Sequence, residues 1–108
     1  RVEVVDAPFV ISREANVCTL ESSVLKFPLT LRRVQDGDRF QPFGMKGTRL
    51  VSDFLTDHKL SLHEKRQKMV VTDASDRIIW IIGLRTADFC RVTTDTRSII
   101  RITYQTNN

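Results

Sequence analysis

Gly37, Gly44 and Gly47 place three of the chain's four glycines within eleven residues, interleaved with Arg39 and Lys46 and closely followed by Arg49. Glycine lets the backbone approach a ligand closely, and cations beside such a turn suit a polyanion held partly by main-chain amides. A nucleotide phosphate loop is a poor match. The pattern G-x-x-x-x-G-K-[ST] needs a lysine directly after its second glycine, whereas Lys46 follows Met45, and Gly37 lies seven residues before Gly44. His58 and His63 are five residues apart, off the i, i+4 spacing of a helical metal pair, and Cys18 and Cys90 lie near neither. Both histidines read as surface or capping residues. Asp36 and Asp38 bracket Gly37 as turn residues do, and no G-x-S-x-G elbow occurs. No catalytic residue and no metal ligand is therefore assigned.

The charge map singles out the same region. From Leu29 to Lys68 there are nine basic residues (Arg32, Arg33, Arg39, Lys46, Arg49, Lys59, Lys65, Arg66 and Lys68) against five acids. The remainder balances at eight of each, so the whole net charge of +4 belongs to this block. A solvated basic surface and a polyanion-binding face account for it about equally well.

The elements that must position these cations form a strand-rich frame. Short β-branched or alternating runs at 2–5, 9–12, 17–20 and 29–34 read as strands. Leu50, Val51, Phe54 and Leu55 recur at the spacing of one helix face, and Ser61 with Glu64 forms a capping-box signature for a second short helix. Residues 69–72 and 78–83 flank the polar turn 73–76 as a hairpin whose second strand, apolar on both faces, should be central; 89–93 and 98–104 read as further strands. The class is α+β, a strand-rich mixed sheet or small sandwich with two short helices inserted between strands. Phe40, Phe54 and Trp80 belong to the core in this reading, and Phe43 is the aromatic expected at the surface.

At 108 residues the chain fits one domain, 1–108, with 1–28 as leading strands and 29–108 as the core. No run approaches the roughly eighteen apolar residues of a membrane span, which points to a cytoplasmic protein without a membrane partner. Cys18 and Cys90 stand singly in apolar segments and read as reduced, buried fillers. Arg1 opens the chain where a methionine would start a complete one, which suggests a piece of a longer protein.

The run LTLRRVQDGDRFQPFGMKGTRLVSDFLTDHKLSLHEKRQKMVV, followed by DRIIWIIGLRTADFCRVT, resembles the carboxy-terminal domain of bacterial tRNA(Ile)-lysidine synthetase over roughly residues 29–93. The pattern Gly-Asp-Arg-Phe, Pro, Gly-Met, Gly, Leu, Ser-Asp-Phe and Lys is met by Gly37 to Phe40, Pro42, Gly44-Met45, Gly47, Leu50, Ser52 to Phe54 and Lys59. Thr48 stands where the family carries the first of two basic residues, which leaves Arg49 as the better phosphate candidate. The resemblance implies a parent ligase that uses ATP, with Mg, to attach lysine to the wobble cytidine of tRNA(Ile). Its nucleotide site belongs to an amino-terminal domain with no counterpart here, so the fragment is expected to carry no cofactor and no catalysis. It implies recognition of the tRNA acceptor stem by this domain, alongside the parent's other domains; a homodimer is the further partner considered. The RNA-contacting candidates are Arg33, Arg39, Lys46, Arg49, Lys59 and Arg66, with Gly37, Gly44 and Gly47 shaping the turn. Of the strand pair, Arg33 is chosen over Arg32 although parity with Leu29 and Leu31 would bury it, because the strand ends near Val34. Asp53 is expected to hold the turn amides. The other reading is a protein-interaction or scaffolding domain of a larger enzyme.

Overall fold

The structure, a computed structural model, describes residues 1–105. Segments with alternating burial form one sheet and a wholly apolar hairpin forms the centre of another. In the first sheet β1 (Val2–Asp6) and β2 (Val17–Glu21) flank β9 (Ser98–Thr103), in the order β1-β9-β2. The second sheet has the order β3-β6-β7-β8, with β3 at Thr30–Arg33, β6 at Met69–Thr72, β7 at Ile78–Ile81 and β8 at Arg85–Thr86. A two-stranded ribbon joins β4 (Arg39–Phe40) to β5 (Arg49–Leu50), and every pairing in the three sheets is antiparallel. Two short helices, α1 (Val51–Asp57) and α2 (Leu62–Gln67), lie between β5 and β6. The class is α+β, as the residue patterns predict.

Register decides what faces the core. Cys18 and Leu20 pair with Ile102 and Ile100, and all four are buried. Val71 pairs with Trp80, and these two line a crevice of about 160 Å³ together with Ile102, so this face of the second sheet looks toward the first. All four residues of β7 are buried, as expected of a central strand apolar on both faces. Over the helical side, α1 buries Val51, Phe54 and Leu55, and Phe54 meets Phe40 edge-on at 5.3 Å between centroids. Such an edge-to-face pair adds about 0.5–1.5 kcal/mol beyond its buried area. The hairpin turn is locked by Asp73, whose carboxylate accepts from the amides of Ser75 and Arg77 at 3.0 and 3.1 Å.

Two predicted strands are absent. Residues 9–12 lie outside any strand: β9 is paired on both sides by β1 and β2, the 9–12 segment adds to neither outer edge, and Val10 and Ile11 stay exposed. At 89–93 the chain instead makes a 3₁₀ turn, Asp88–Cys90, that closes through the Arg91 amide on the Asp88 carbonyl at 3.2 Å and tucks Cys90 inside. Both cysteines are free and buried, and burial pushes the Cys18 thiol far up and the Cys90 thiol up to about 12. They are inert fillers, as read from sequence.

Candidate nucleic-acid interface

The ribbon β4–β5 and the glycine turn between its strands carry most of the candidate residues. Gly37, Gly44 and Gly47 have φ of 87°, 80° and 75°. A Cβ built on any of the three meets nothing within 4 Å, so their requirement is backbone sign rather than space. Two carboxylates hold the loops. Asp38 accepts from the Gln35 amide at 2.7 Å and takes both Nη1 and Nη2 of Arg32 at 2.9 and 3.0 Å. Asp88 accepts from the Gly44 amide at 3.1 Å and from Gln41 Nε2 at 3.4 Å. Burial alone would raise the Asp38 carboxyl, but the Arg32 hydrogen bonds, the Gln35 amide and the Arg32 charge together hold it below the ordinary aspartate value. Asp53, expected from sequence to hold these amides, is exposed in the first turn of α1; position along the chain suggested it, whereas folding brings Asp38 and Asp88 to the donors.

The candidate cations divide by partner. Arg33, Arg39, Lys46, Lys59 and Arg66 are exposed and form no ion pair among the described residues. Arg49 instead pairs with Asp57 at 2.5 Å, with its side chain 31% exposed. It also lies on the opposite face of the ribbon from Arg39: cross-strand partners share a face, and the pairs are Arg39 with Leu50 and Phe40 with Arg49. The choice between Arg32 and Arg33 resolves through the sheet edge. Leu31 and Arg33 do share a face, but β3 is an edge strand that the first sheet does not cover, so Leu31 is 50% exposed and Arg33 is solvated. Arg32 points the other way into its pair with Asp38.

The helices hold Lys59 and Arg66 apart from that ribbon. α1 ends in a Schellman motif, with Lys59 N–H on the Thr56 carbonyl at 2.8 Å and Leu60 N–H on the Leu55 carbonyl at 3.1 Å, and Lys59 occupies the left-handed position at φ 63°. α2 starts at the predicted capping box: Ser61 N–H reaches Glu64 Oε1 at 2.9 Å, and Glu64 N–H reaches Ser61 Oγ at 3.1 Å. Arg66 falls in its last turn, where a cation favours the helix dipole. His58 Nδ1 lies 2.9 Å from the Phe54 carbonyl and His63 is exposed, in keeping with capping and surface roles. The α1 start offers less to an anion than its sequence implies, because the Val51 amide already donates to the Asp38 carbonyl at 2.8 Å. Phe40, Phe54 and Trp80 are buried, while Phe43 is 45% exposed at the tip of the turn. One contact is invisible from sequence proximity: Arg85 donates from Nη1 to the Phe43 carbonyl at 3.3 Å.

No helix among the described residues is long and apolar enough to cross a membrane, and no group of three or more His, Cys, Asp or Glu is placed to hold a metal ion among them. What remains is an α+β domain of antiparallel sheets in which, among the described residues, Arg39 and Lys46 stand unpaired on the ribbon and its glycine loop, with Arg33, Lys59 and Arg66 unpaired on β3 and at the helix ends. The chain belongs to the family described as the TilS substrate C-terminal domain, which matches residues 29–103. It is 36% identical over 101 residues to the tRNA(Ile)-lysidine synthase of Parabacteroides distasonis, covering 94% of this chain and 23% of that protein. With the tRNA(Ile)-lysidine synthase of Bacillus subtilis it shares 46% over 65 residues, or 60% of this chain and 14% of the relative. The chain thus spans under a quarter of these relatives' length. A crystal structure of a TILS C-terminal domain superposes with a TM-score of 0.81 at 23% identity, covering 99% of this chain and 82% of the other. An N-terminal fragment of the phenylalanyl-tRNA synthetase β-subunit from Pyrococcus horikoshii shares the fold at a TM-score of 0.68 and 20% identity, over 79% of this chain and 26% of that one.

Proposed function

We propose that this chain is the substrate-recognition part of a tRNA(Ile)-lysidine synthase and binds the acceptor stem of tRNA(Ile), while an amino-terminal domain uses ATP and Mg to attach lysine to the wobble cytidine in the cytoplasm. The observation that carries the reading is the partition of charge. The basic excess of residues 29–68 falls largely on Arg33, Arg39, Lys46, Lys59 and Arg66, which the fold leaves exposed and without acidic partners among the described residues. Paired duplex RNA presents phosphates and 2′-hydroxyls across a shallow minor groove, so a reader needs free cations on fixed backbone more than it needs a deep pocket. Family membership supplies the tRNA context.

Titrating the chain with tRNA(Ile), an acceptor-stem minihelix and an anticodon hairpin tests the assignment. The minihelix should retain most of the affinity of the whole tRNA, with log affinity falling linearly against log salt. Equal affinity for the anticodon hairpin would overturn it. Docking to the parent's other domains has its own support in the apolar side chains left open between the edge strands β1 and β3, where Val2 is 51% and Leu31 50% exposed beside the crevice.

A further inference from the structure

A further cleft lies away from the cations chosen from sequence: Arg33, Arg39, Lys46, Arg49, Lys59 and Arg66 are not among its lining residues. It is a groove of about 490 Å³ between the 11–15 segment, the Phe43 turn, β8 and residues 91–92, within the range of roughly 300–1,000 Å³ typical of small-ligand clefts. Arg13, Arg85 and Arg91 line it, against Glu14 as the acid among its lining residues. Arg13 is exposed and has no ion pair among the described residues; Arg91 pairs with Asp88 at 3.0 Å yet keeps its side chain 50% exposed.

Phe43 lines this groove and is 45% exposed. A solitary exposed aromatic is common on protein surfaces; Phe43 differs in how firmly its backbone is held. Its N–H donates to the Thr86 carbonyl at 2.9 Å, its carbonyl accepts from Arg85, and the next amide, of Gly44, is fixed on Asp88. Met45 N–H closes the turn on the Pro42 carbonyl at 3.0 Å. The ring is thus presented on a pre-ordered turn, which lowers the entropic cost of using it as a contact. Asp88 also orients Arg91, so one carboxylate sets both the aromatic tip and a flanking cation.

We infer that this groove binds an unpaired nucleotide of RNA, its base stacked on Phe43 and its phosphates met by Arg13 and Arg91. Stacking on an aromatic face is tolerant of base identity, and it requires a base free of a helix, which a duplex contact through the basic block does not. The inference rests on the reading of the chain as an RNA binder, and adds to it a second contact of different chemistry.

The test compares, on the full chain, a blunt-ended RNA hairpin with the same hairpin bearing a two-nucleotide single-stranded 3′ overhang that carries 2-aminopurine. The overhang should strengthen binding roughly tenfold and quench the 2-aminopurine on binding. Phe43→Ala should remove both effects while leaving blunt-hairpin affinity and melting temperature unchanged, Phe43→Tyr should keep both, and Arg13→Ala and Arg91→Ala should each reduce the gain from the overhang. An overhang gain that survives Phe43→Ala, or no gain in the wild-type chain, overturns the proposal. Free adenosine monophosphate giving Phe43-dependent saturation in the absence of hairpin, with no overhang gain, assigns the groove to a free nucleotide and overturns the RNA assignment. Loss of blunt-hairpin binding by the wild-type chain would count against the duplex reading alone, since the overhang as a free dinucleotide still reports on the groove.

Discussion

The Asp73 carboxylate is wholly removed from solvent and receives both Nε and Nη2 of Arg77 at 3.1 and 2.6 Å, while the same guanidinium lies 4.2 Å from the Phe89 ring centre and donates to the Val24 carbonyl at 2.9 Å. With the Lys26 amide at 3.3 Å also on the carboxylate, this pair ties the hairpin turn to the segments before β3 and after β8.

Asp73→Asn should therefore lower stability by about 1–3 kcal/mol, the order expected when hydrogen bonds to a buried charged acceptor are lost while the Arg77 side chain left behind stays 40% exposed. The pH dependence follows from the sign of the shift. Burial pushes the carboxyl up, but hydrogen bonds from Arg77 and from the Arg77 and Lys26 amides, with the Arg77 charge, outweigh it and hold it low. A carboxyl depressed in the folded state contributes fully above its unfolded value, about 3.9 for aspartate, and loses that contribution as pH falls through the folded value. Urea unfolding between pH 7 and pH 3 should show a shallower loss in the variant; parallel curves would refute the assignment.

Asp38 and Asp53 separate structural from incidental acids. Asp38→Ala strands Arg32 and the Gln35 amide and should cost about 1–3 kcal/mol. Asp53→Ala removes an exposed helix-start charge and should cost no more than about 1 kcal/mol. Thermal melts of the two variants side by side decide it, and equal losses would show that Asp53 holds the loop after all.

Lys59 combines a strained backbone with a candidate contact. Lys59→Gly should be about 1 kcal/mol more stable than Lys59→Ala, because both remove the charge and glycine alone takes the left-handed position at no steric cost. Indistinguishable melting temperatures would place the αL strain elsewhere.

Replacing Arg33, Arg39, Lys46 or Arg66 with alanine should weaken binding to the minihelix across sequences and flatten the slope of log affinity against log salt by roughly one unit each. Arg49→Ala should change that slope less, since Asp57 already holds the guanidinium. Arg97→Ala and Arg101→Ala should leave it nearly unchanged. If all seven variants behave alike in a salt titration, the basic block is merely a solvated surface.

Local rules made much of this legible from sequence. The capping box at Ser61 and Glu64, the apolar face of α1 and the central position of β7 each depend on neighbours a few residues away, and each stands where the patterns put it. Long-range choices were not. Residues 9–12 have strand composition, but composition does not reveal whether a segment adds to a sheet edge. Arg49 and Asp57 come from a strand and a helix end whose packing no periodicity encodes. Phe43 and Arg85 meet 42 positions apart, which is why a charge map drawn along the chain left Arg85 among the balanced remainder.

The order β1-β9-β2 has a consequence for how the chain comes together. The two earliest strands never pair with each other and must wait for the last, so on a ribosome the first sheet closes only after nearly everything else has emerged. Until then Leu20 and Cys18 lack their cover, and a nascent chain stalled before Ser98 presents bare strand edges to its neighbours. A fragment trimmed to begin at residue 29 keeps β9 but strips both of its edges, and should aggregate more readily on expression than the 108-residue chain.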